Sequence, residues 1–318
     1  MTAAPESGVQ AEGAPDAKEK PRVSVPAQIR PEVSLGAVVL TMGDRPDALS
    51  ALLDSVAAQQ GAPIDVVVVA NGGPVPEVAG EKVRTVALPE NVGIPAGRNV
   101  GAAELDDDVV LFLDDDGRLP DPETARLLRA AFDADPKLGI VSFRIVDPET
   151  GETQRRHVPR LRASDPERSS AATTFLGGAC AIRAAVLREV GGLPDDFFYA
   201  HEETDLAWRA IDAGWKVEYR ADVLLEHPAT SPARHAAFFR MNARNRVWLA
   251  RRNLPWPIVP VYLGTWIVIT TARRPSKEAM QAWRGGFREG WNASCGGRRP
   301  MSWRTVWRMT RLGRPPIV

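Results

Sequence analysis

Cysteine is scarce in this sequence. Cys180 and Cys295 are the only two in 318 residues, far apart and outside any CxxC or Cys–His spacing. That excludes a disulfide framework and a zinc cluster, and it suits a reducing, cytoplasmic compartment. Residues 1–30 do not read as a secretory leader either. The stretch is Ala, Pro, Glu, Lys and Ser without periodicity, and no basic segment leads into an apolar one. They read as a disordered tail. Long uninterrupted hydrophobic runs are also lacking. Leu254–Thr271 carries no charge and would about span a hydrocarbon core as a helix, but Pro255, Pro257 and Pro260 break its first half.

Net charge is absent too, yet the zero conceals a split. From Pro232 onward there are 16 Arg and one Lys against Glu278 and Glu289, a net of +15, which leaves −15 for the first 231 residues. Seven of the nine tryptophans also follow position 245. A basic, Trp-rich segment on an acidic body is a partner signal rather than a fold signal. Its last piece, Met301–Leu312, sets Trp303 and Trp307 one turn apart beside Arg304, Arg308 and Arg311. That composition suits the interface of an anionic membrane, and packing on the acidic body accounts for it equally well. Nucleic acid is not an expected partner, because no recognised module accompanies the basic residues. The chain therefore divides into a tail over 1–30, a body over 31–231 and a helical C-terminal region over 232–318.

Within the body, strand and helix patterns alternate. Ser34–Thr41, Asp65–Ala70, Val83–Leu88, Val109–Leu113 and Ile140–Val146 are apolar runs of strand length. Between them, Pro46 opens a helix with Leu49, Leu52, Leu53 and Val56 on one face, Asn91–Gly101 is a Gly-rich turn entering a short helix, and Pro122–Ala134 reads as a third. This spacing predicts an α/β fold with a doubly wound, mostly parallel sheet, and ligands in such sheets sit beyond the carboxyl ends of the strands. Residues 147–172 form a long polar loop carrying Arg155, Arg156, Arg160 and Arg162, the form of a binding loop or lid. Thr174–Arg183 reads as a strand with Gly177-Gly178 inside it, where another group approaches the backbone closely or the strand bulges. Val217–Tyr219 and Val223–Leu225 are two short strands.

Chemistry concentrates in three places. Asp114-Asp115-Asp116 closes the fourth apolar run, and carboxylates are buried only when paired or bound to metal, so the cluster belongs at the mouth of the sheet. Alternation puts Asp114 and Asp116 on one side, two hard oxygen donors suited to Mg²⁺ or Mn²⁺ held together with a substrate's phosphates. Phe197–Arg209 carries Glu202, Glu203 and Asp205 at the start of a helix, where the dipole favours acids. Glu226-His227-Pro228 follows the last strand.

The order of these pieces resembles glycosyltransferase family 2, with its GT-A fold, over residues 34 to about 230. The resemblance rests on Thr41 with Arg45-Pro46, Asn91-Val92-Gly93 with Gly97-Arg98-Asn99, Leu113–Asp116, Gly177-Gly178, Phe197–Arg209 and Glu226-His227-Pro228. It implies an inverting transfer from a nucleoside-diphosphate sugar to an acceptor hydroxyl on a saccharide or lipid-linked saccharide, as in cell-envelope polysaccharide or glycolipid synthesis. It further implies that Asp114 and Asp116 hold a divalent cation, Mg²⁺ or Mn²⁺, with His227 as a further ligand. Glu203 matches the general base, with Glu202 as the alternative and Asp205 in the same motif. Thr41, Arg45, Asn71, Gly93, Arg98, Asn99, Asp114, Asp115, Gly177 and Gly178 match the nucleotide-sugar site. One departure stands out: the family usually has Asp before the Asn that ends the second strand, and here it is Ala70. Thr41, Asp44 and Asn71 are the candidates to replace it. Working on lipid carriers, such an enzyme would sit in the cytoplasm, peripheral at the inner face of the cell membrane.

Two other classes share parts of the pattern. A sugar-phosphate nucleotidyltransferase also joins a doubly wound sheet to metal-binding aspartates, but Met42-Gly43-Asp44-Arg45 is too short and glycine-poor for its phosphate loop. A non-catalytic binding protein on a degenerate transferase scaffold is suggested by Ala70 and Glu203. Against it, the metal-site acids and a base are present together.

Overall fold

Valine-rich runs without polar alternation are stable where a strand is covered on both faces, and the sheet of this protein is built from such runs. In the computed structural model, which describes residues 1–2, 32–159, 165–229 and 236–317, β1 (Leu35–Thr41), β2 (Asp65–Asn71), β3 (Val83–Leu88) and β4 (Val109–Asp114) pair in parallel. On β2, Val66 and Val68 enter one core while Val67 and Val69 enter the other. The two-residue period of a strand covers every valine without interrupting the apolar sequence.

The sheet continues through β5 (Leu138–Val146), β6 (Ser170–Ala171), β7 (Ala179–Arg183) and β8 (Lys216–Glu226), in the order β3-β2-β1-β4-β7-β5-β8-β6. β7 is antiparallel to β4 and β5, and β6 is antiparallel to β8. Every other pair is parallel, so the sheet is mostly parallel, as the alternating pattern predicts. Two details differ from the sequence reading. Gly177-Gly178 lie in a turn before β7 rather than inside a strand. The two short strands expected near residues 217–225 are one, β8, whose register shifts opposite Phe143 and Arg144.

By their contacts the residues form two units, Met1–Pro31 and Glu32–Val318, and all the named elements lie in the second. The tail expected over 1–30 falls outside the described residues, Met1 and Thr2 apart. In the polar loop, Arg155 and Arg156 sit on a short 3-10 turn, while Arg160 and Arg162 fall outside the described residues.

The helices follow in the order α1 (Pro46–Ala57), α2 (Ile94–Ala103), α3 (Thr124–Ala134), α4 (Ala184–Val190), α5 (Glu202–Asp212) and α6 (Ala236–Asn253). α1 and α3 cover one face of the sheet through Leu49, Leu52, Leu128 and Phe132. The opposite core takes Val186 of α4, Leu206 and Ile211 of α5 and Val247 of α6. α2 lies close on β1: a Cβ on Gly97 would stand 2.5 Å from Leu40 Cδ1, and one on Gly101 2.5 Å from Val38 Cγ1. Glycine at these two positions, one turn apart, lets the helix approach and carries Arg98 to the strand ends.

The basic region adds α7 (Ile258–Ala272), α8 (Lys277–Asn292) and α9 (Trp303–Arg311). Tyr262, Leu263 and Met309 join the same core as α5 and α6. Among the described residues no helix is long and apolar enough to cross a membrane. At α9 the N-capping Ser302 donates to Asp212 Oδ1 through its amide and its hydroxyl, both at 2.9 Å, and Thr305 Oγ1 does so at 2.6 Å.

Asp205 ties α5 to α6. It is fully buried, and its oxygens accept from Arg209 Nε at 2.8 Å, Arg252 Nε at 3.1 Å and Asn253 Nδ2 at 2.7 Å. Removing one member of a buried ion network strands the others, at a cost of about 3–5 kcal/mol. Asp205→Ala should therefore lower the urea midpoint sharply, with Asp205→Asn losing less. An Asp205→Ala protein of unchanged midpoint would show that the carboxylate does not hold these helices.

Candidate active site

β1, β2 and β4 end on one edge of the sheet, beside a cleft of about 550 Å³. Of the expected site residues, Thr41, Arg45, Asn71, Gly93 and Arg98 line it, together with Asp114, Asp115, Asp116 and His227.

Adjacent carboxylates in a partly desolvated place need cations or hydrogen-bond donors beside them, and each of the three has its own partner. Asp114, the last residue of β4, accepts from Arg98 Nη2 at 2.7 Å. Asp115 accepts from Thr41 Oγ1 at 2.7 Å and from Arg45 Nη1 at 3.2 Å. Asp116 accepts from the same Arg45 nitrogen at 2.6 Å and lies 3.0 Å from His227 Nε2. Burial raises the Asp115 carboxyl in spite of Thr41 and Arg45. At Asp116 burial also pushes upward, but His227 and Arg45 outweigh it and hold the carboxyl below its usual range.

Asp114 and Asp116 line one cleft, but strand alternation is not what brings them there. Strand pairing stops at Asp114 and a turn carries Asp115 and Asp116, so alternation no longer governs them. Asp114 turns to Arg98 and Asp116 to His227. Among the described residues no three His, Cys, Asp or Glu side chains gather closely enough to hold a metal ion by themselves. The trio of Asp114, Asp116 and His227 is therefore an open donor set rather than a closed cage.

That open set still fits a divalent cation. His227 Nδ1 bonds the Pro228 carbonyl at 2.8 Å, so that nitrogen carries the proton and the lone pair of Nε2 faces Asp116 Oδ1. Two facing acceptors are reconciled by a second proton on the imidazole, whose pKa the Asp116 contact raises, or by a metal ion. Mg²⁺ and Mn²⁺ suit carboxylate and imidazole donors and take their remaining ligands from water and phosphate oxygens.

Behind the cleft, two glycines make room for a second cluster. A Cβ on Gly178 would overlap the Asp114 carboxylate, and one on Gly177 would meet the Arg98 guanidinium and stand 2.7 Å from Glu203 Oε1. Arg98, Asp114 and Glu203 meet because those side chains are absent. Arg98 is only 3% exposed. Burial works against its charge, but Asp114, Glu202 and Glu203 outweigh burial and hold its pKa above the ordinary value. Glu203 is half-buried, hydrogen-bonded by the Gly177 backbone, and raised by burial with Arg98 pulling the other way. Glu202 is 1% exposed and, among the described residues, its Oε2 has no hydrogen-bond partner. Burial, with Glu203 alongside, pushes its carboxyl up to about 8. Both carboxyls are thus raised by burial, and both share the neighbourhood of Arg98, which pulls the other way.

Other expected residues are spent on structure. Asp205 is not brought to the cleft; its oxygens are consumed by Arg209, Arg252 and Asn253. Asn99 does not reach it either, because its amide donates to the Leu193 carbonyl and Asp195 and accepts from the Leu193 amide. Asn71 lines the cleft, yet it donates to Asn91 Oδ1 at 3.1 Å and the Gly93 carbonyl at 3.3 Å, and its own oxygen accepts from the Val92 amide at 3.0 Å. Of the candidates to replace the missing acid at Ala70, Asp44 is the one left exposed at the cleft, since Thr41 is committed to Asp115.

Sequence reasoning missed the far wall, made by Phe198 and Tyr199 with Ala237, Phe238 and Met241 of α6. No spacing signal links α6 to the strand ends. The tie is Asn245, fully buried, whose Nδ2 donates to the carbonyls of Phe197, Tyr199 and Ala200 at 2.8, 2.7 and 2.9 Å. Phe198, Ala200 and His201 have φ of 63°, 71° and 72°, a left-handed conformation that costs about 1–3 kcal/mol at a residue other than glycine. Asn245 and the Ile94 amide, which donates to the Phe198 carbonyl at 2.8 Å, hold that loop against α2 and α6.

Comparison with known proteins points the same way. Residues 37–191 match the family described as "Glycosyl transferase family 2", a span that ends before α5 and His227. The pre-mycofactocin glycosyltransferase of Mycobacterium tuberculosis is 27% identical over 211 residues, covering 64% of this chain and 40% of that protein. The O-antigen chain rhamnosyltransferase RfbN of Salmonella typhimurium is 29% identical over 141 residues, 41% of this chain and 44% of that one. The chain thus spans less than half the length of these curated relatives. Among solved structures, the mannosyltransferase PcManGT of Pyrobaculum calidifontis, in complex with GDP-Man and Mn²⁺, superposes with a TM-score of 0.53 at 18% identity, over 92% of this chain and 88% of that one. Sheet order, the Asp114–Asp116 cleft and the family match converge on one assignment: the chain carries a glycosyltransferase family 2 domain in the GT-A fold.

Proposed function

We propose that the protein transfers a hexosyl or deoxyhexosyl group from a nucleoside-diphosphate sugar to an acceptor hydroxyl with inversion at the anomeric carbon. The observation that carries this reading is the meeting of Arg98, Asp114 and Glu203 around Gly177-Gly178, at the back of a cleft whose mouth holds Arg45, Asp116 and His227. Diphosphate and base thereby have separate places. Named relatives that are glycosyltransferases support the reaction class, and the GDP-Man and Mn²⁺ of the archaeal structure support the donor class and the cation.

In this reading the donor lies along the carboxyl ends of β1, β2 and β4, where Asp44 is free to accept from ribose hydroxyls. Bound at Asp116 and His227 beside Asp114, Mg²⁺ or Mn²⁺ would supply positive charge to the departing diphosphate. Arg45 and Arg98 add fixed positive charge on either side of the acid cluster and need no reorganisation as the leaving group becomes more negative. Glu203 takes the proton of the acceptor hydroxyl. The oxygen then bonds the anomeric carbon from the face opposite the diphosphate, and the broken C–O bond leaves its electron pair on the nucleotide. Glu202 stays protonated behind it, so that one negative charge rather than two faces Arg98.

We further propose that the C-terminal helices dock on an anionic membrane surface, where a lipid-linked or cell-envelope acceptor would be met. α9 has two faces: Val306 and Met309 are buried against the body, while Trp303 and Trp307 are 53% and 65% exposed beside exposed Arg304 and Arg311. Body packing and membrane contact are therefore compatible. Several other arginines of the region are used internally, Arg251 on the carbonyls of Gly290, Trp291 and Ala293 and Arg252 on Asp205.

Two outcomes test these proposals. Glu203→Gln keeps the shape and removes the base, so kcat should fall by about 10²–10⁴-fold while donor binding persists. Glu202→Gln, which replaces one neutral group by another, should remain active. The opposite pattern would exchange the two roles, and donor binding without turnover in the wild type would favour a binding protein. For the membrane, the full chain should co-sediment with anionic but not neutral liposomes, and less so as salt rises. Trp307→Ser with Arg311→Glu, both exposed, should release it. A full chain that ignores anionic liposomes at low salt would contradict docking.

A further inference from the structure

Beside the donor cleft, two adjoining cavities of about 500 and 210 Å³ share Arg246 and Trp266. The smaller lies between α5, α6, α7 and the segment after α9, and among the described residues no Asp or Glu lines it. Thr174, His201 and Thr204 line it together with Arg246, Trp266 and Arg314. The Arg246 guanidinium sits 3.5 Å from the Trp266 ring centroid and donates to the Tyr262 hydroxyl at 3.2 Å. Among the described residues neither Arg246 nor Arg314 pairs with a carboxylate. Burial lowers the pKa of both, and the nearby Arg273 charge lowers Arg246 further.

Two further donors of this lining lack partners. Trp266 Nε1 and Arg314 Nε are buried donors without a hydrogen-bond partner among the described residues. Partnerless buried donors and a desolvated cation without counter-ion are each costly. They occur here together, around one cavity, and their needs have one common answer. The Arg246 guanidinium over this indole donates from Nη1 to Tyr262 and from Nη2 to Asn242 at 3.5 Å, and its further N–H groups are donors of the kind that oxyanions accept. A second guanidinium, an indole N–H and threonine hydroxyls supply the further donors that a phosphoryl group, with more acceptor oxygens than a carboxylate, can use.

Position gives the site a role. Thr204 follows Glu203 on α5, and its hydroxyl lies 3.0 Å from that of Thr174, three residues before Gly177. The cavity thus lies one residue along α5 from the proposed base and outside the lining of the donor cleft, so an acceptor whose hydroxyl stands between Glu203 and the donor could extend its far end there. Resting on the transfer reaction proposed above, we infer that this cavity binds a phosphoryl group carried by the acceptor, so that acceptors bearing a phosphate ester are preferred.

The test starts with inorganic phosphate and does not depend on activity. Phosphate should raise the melting temperature of the full chain saturably, against chloride at equal ionic strength. The apparent affinity should be at least tenfold weaker in Arg246→Gln and in Arg314→Gln, the latter lying past the last helix and away from the donor cleft. Nucleoside-diphosphate binding should be unchanged in Arg314→Gln. No saturable shift in the wild type, or an equal shift in both variants, as from phosphate bound in the donor cleft, would overturn the site. With transfer assayed, one sugar offered with and without a phosphate ester should show a KM at least tenfold lower for the ester, and Arg314→Gln should erase the difference. Equal KM values in the wild type would overturn the acceptor assignment and leave free phosphate as the occupant. Absence of all transfer would count against the proposed reaction, with the melting result standing separately.

Discussion

Carboxylates gathered where a hydrophobic sheet ends must be answered by positive charge, and Arg98 is the group on which that balance turns. It is almost fully buried, bonded to Asp114 and surrounded by Glu202 and Glu203. Without it, Asp114, Glu202 and Glu203 would lose the positive charge nearest to them. Its position follows from sequence: Gly97 and Gly101 let α2 press on β1, and Gly177-Gly178 clear the space that the guanidinium and its acids fill. The backbone that makes the fold thus also sets the separation between Asp116 at the mouth of the cleft and Glu203 behind it.

The C-terminal helices complete this arrangement. α6 supplies a wall of the cleft through Phe238 and Met241 and holds the strained loop at Phe198–His201 through Asn245. Asp205 and Asp212 on α5 anchor α6 and the start of α9 in turn. The split between an acidic body and a basic tail therefore has a structural component as well as an outward-facing one.

What could be read from sequence divides along physical lines. The strands were legible because fully covered parallel strands are continuous apolar runs, and Val83–Leu88 has the same bounds in both readings. The acid cluster, Arg45, Arg98 and His227 were legible as a site because strand ends and short motifs locate them. The separate partners of Asp114 and Asp116, Arg98 and His227, were not, since they depend on where strand pairing stops. Asn99 and Asp205 carry the residue types of a site, yet their partners, Leu193, Asp195, Arg252 and Asn253, lie 47 or more positions away in sequence. Glu202 and Glu203 differ in exposure, a difference that adjacent positions on one helix do not reveal in sequence.

The central claim is that the cleft at Asp114–Asp116 holds a nucleoside diphosphate through a divalent cation at Asp116 and His227. Titration calorimetry of UDP- and GDP-sugars tests it most directly, with Mn²⁺ and then with EDTA. At least one of these donors should bind with Mn²⁺ and lose at least tenfold in affinity in EDTA, and Asp116→Asn should bind weakly in both conditions. Donor binding equally tight in EDTA, or undiminished in Asp116→Asn, would contradict the account.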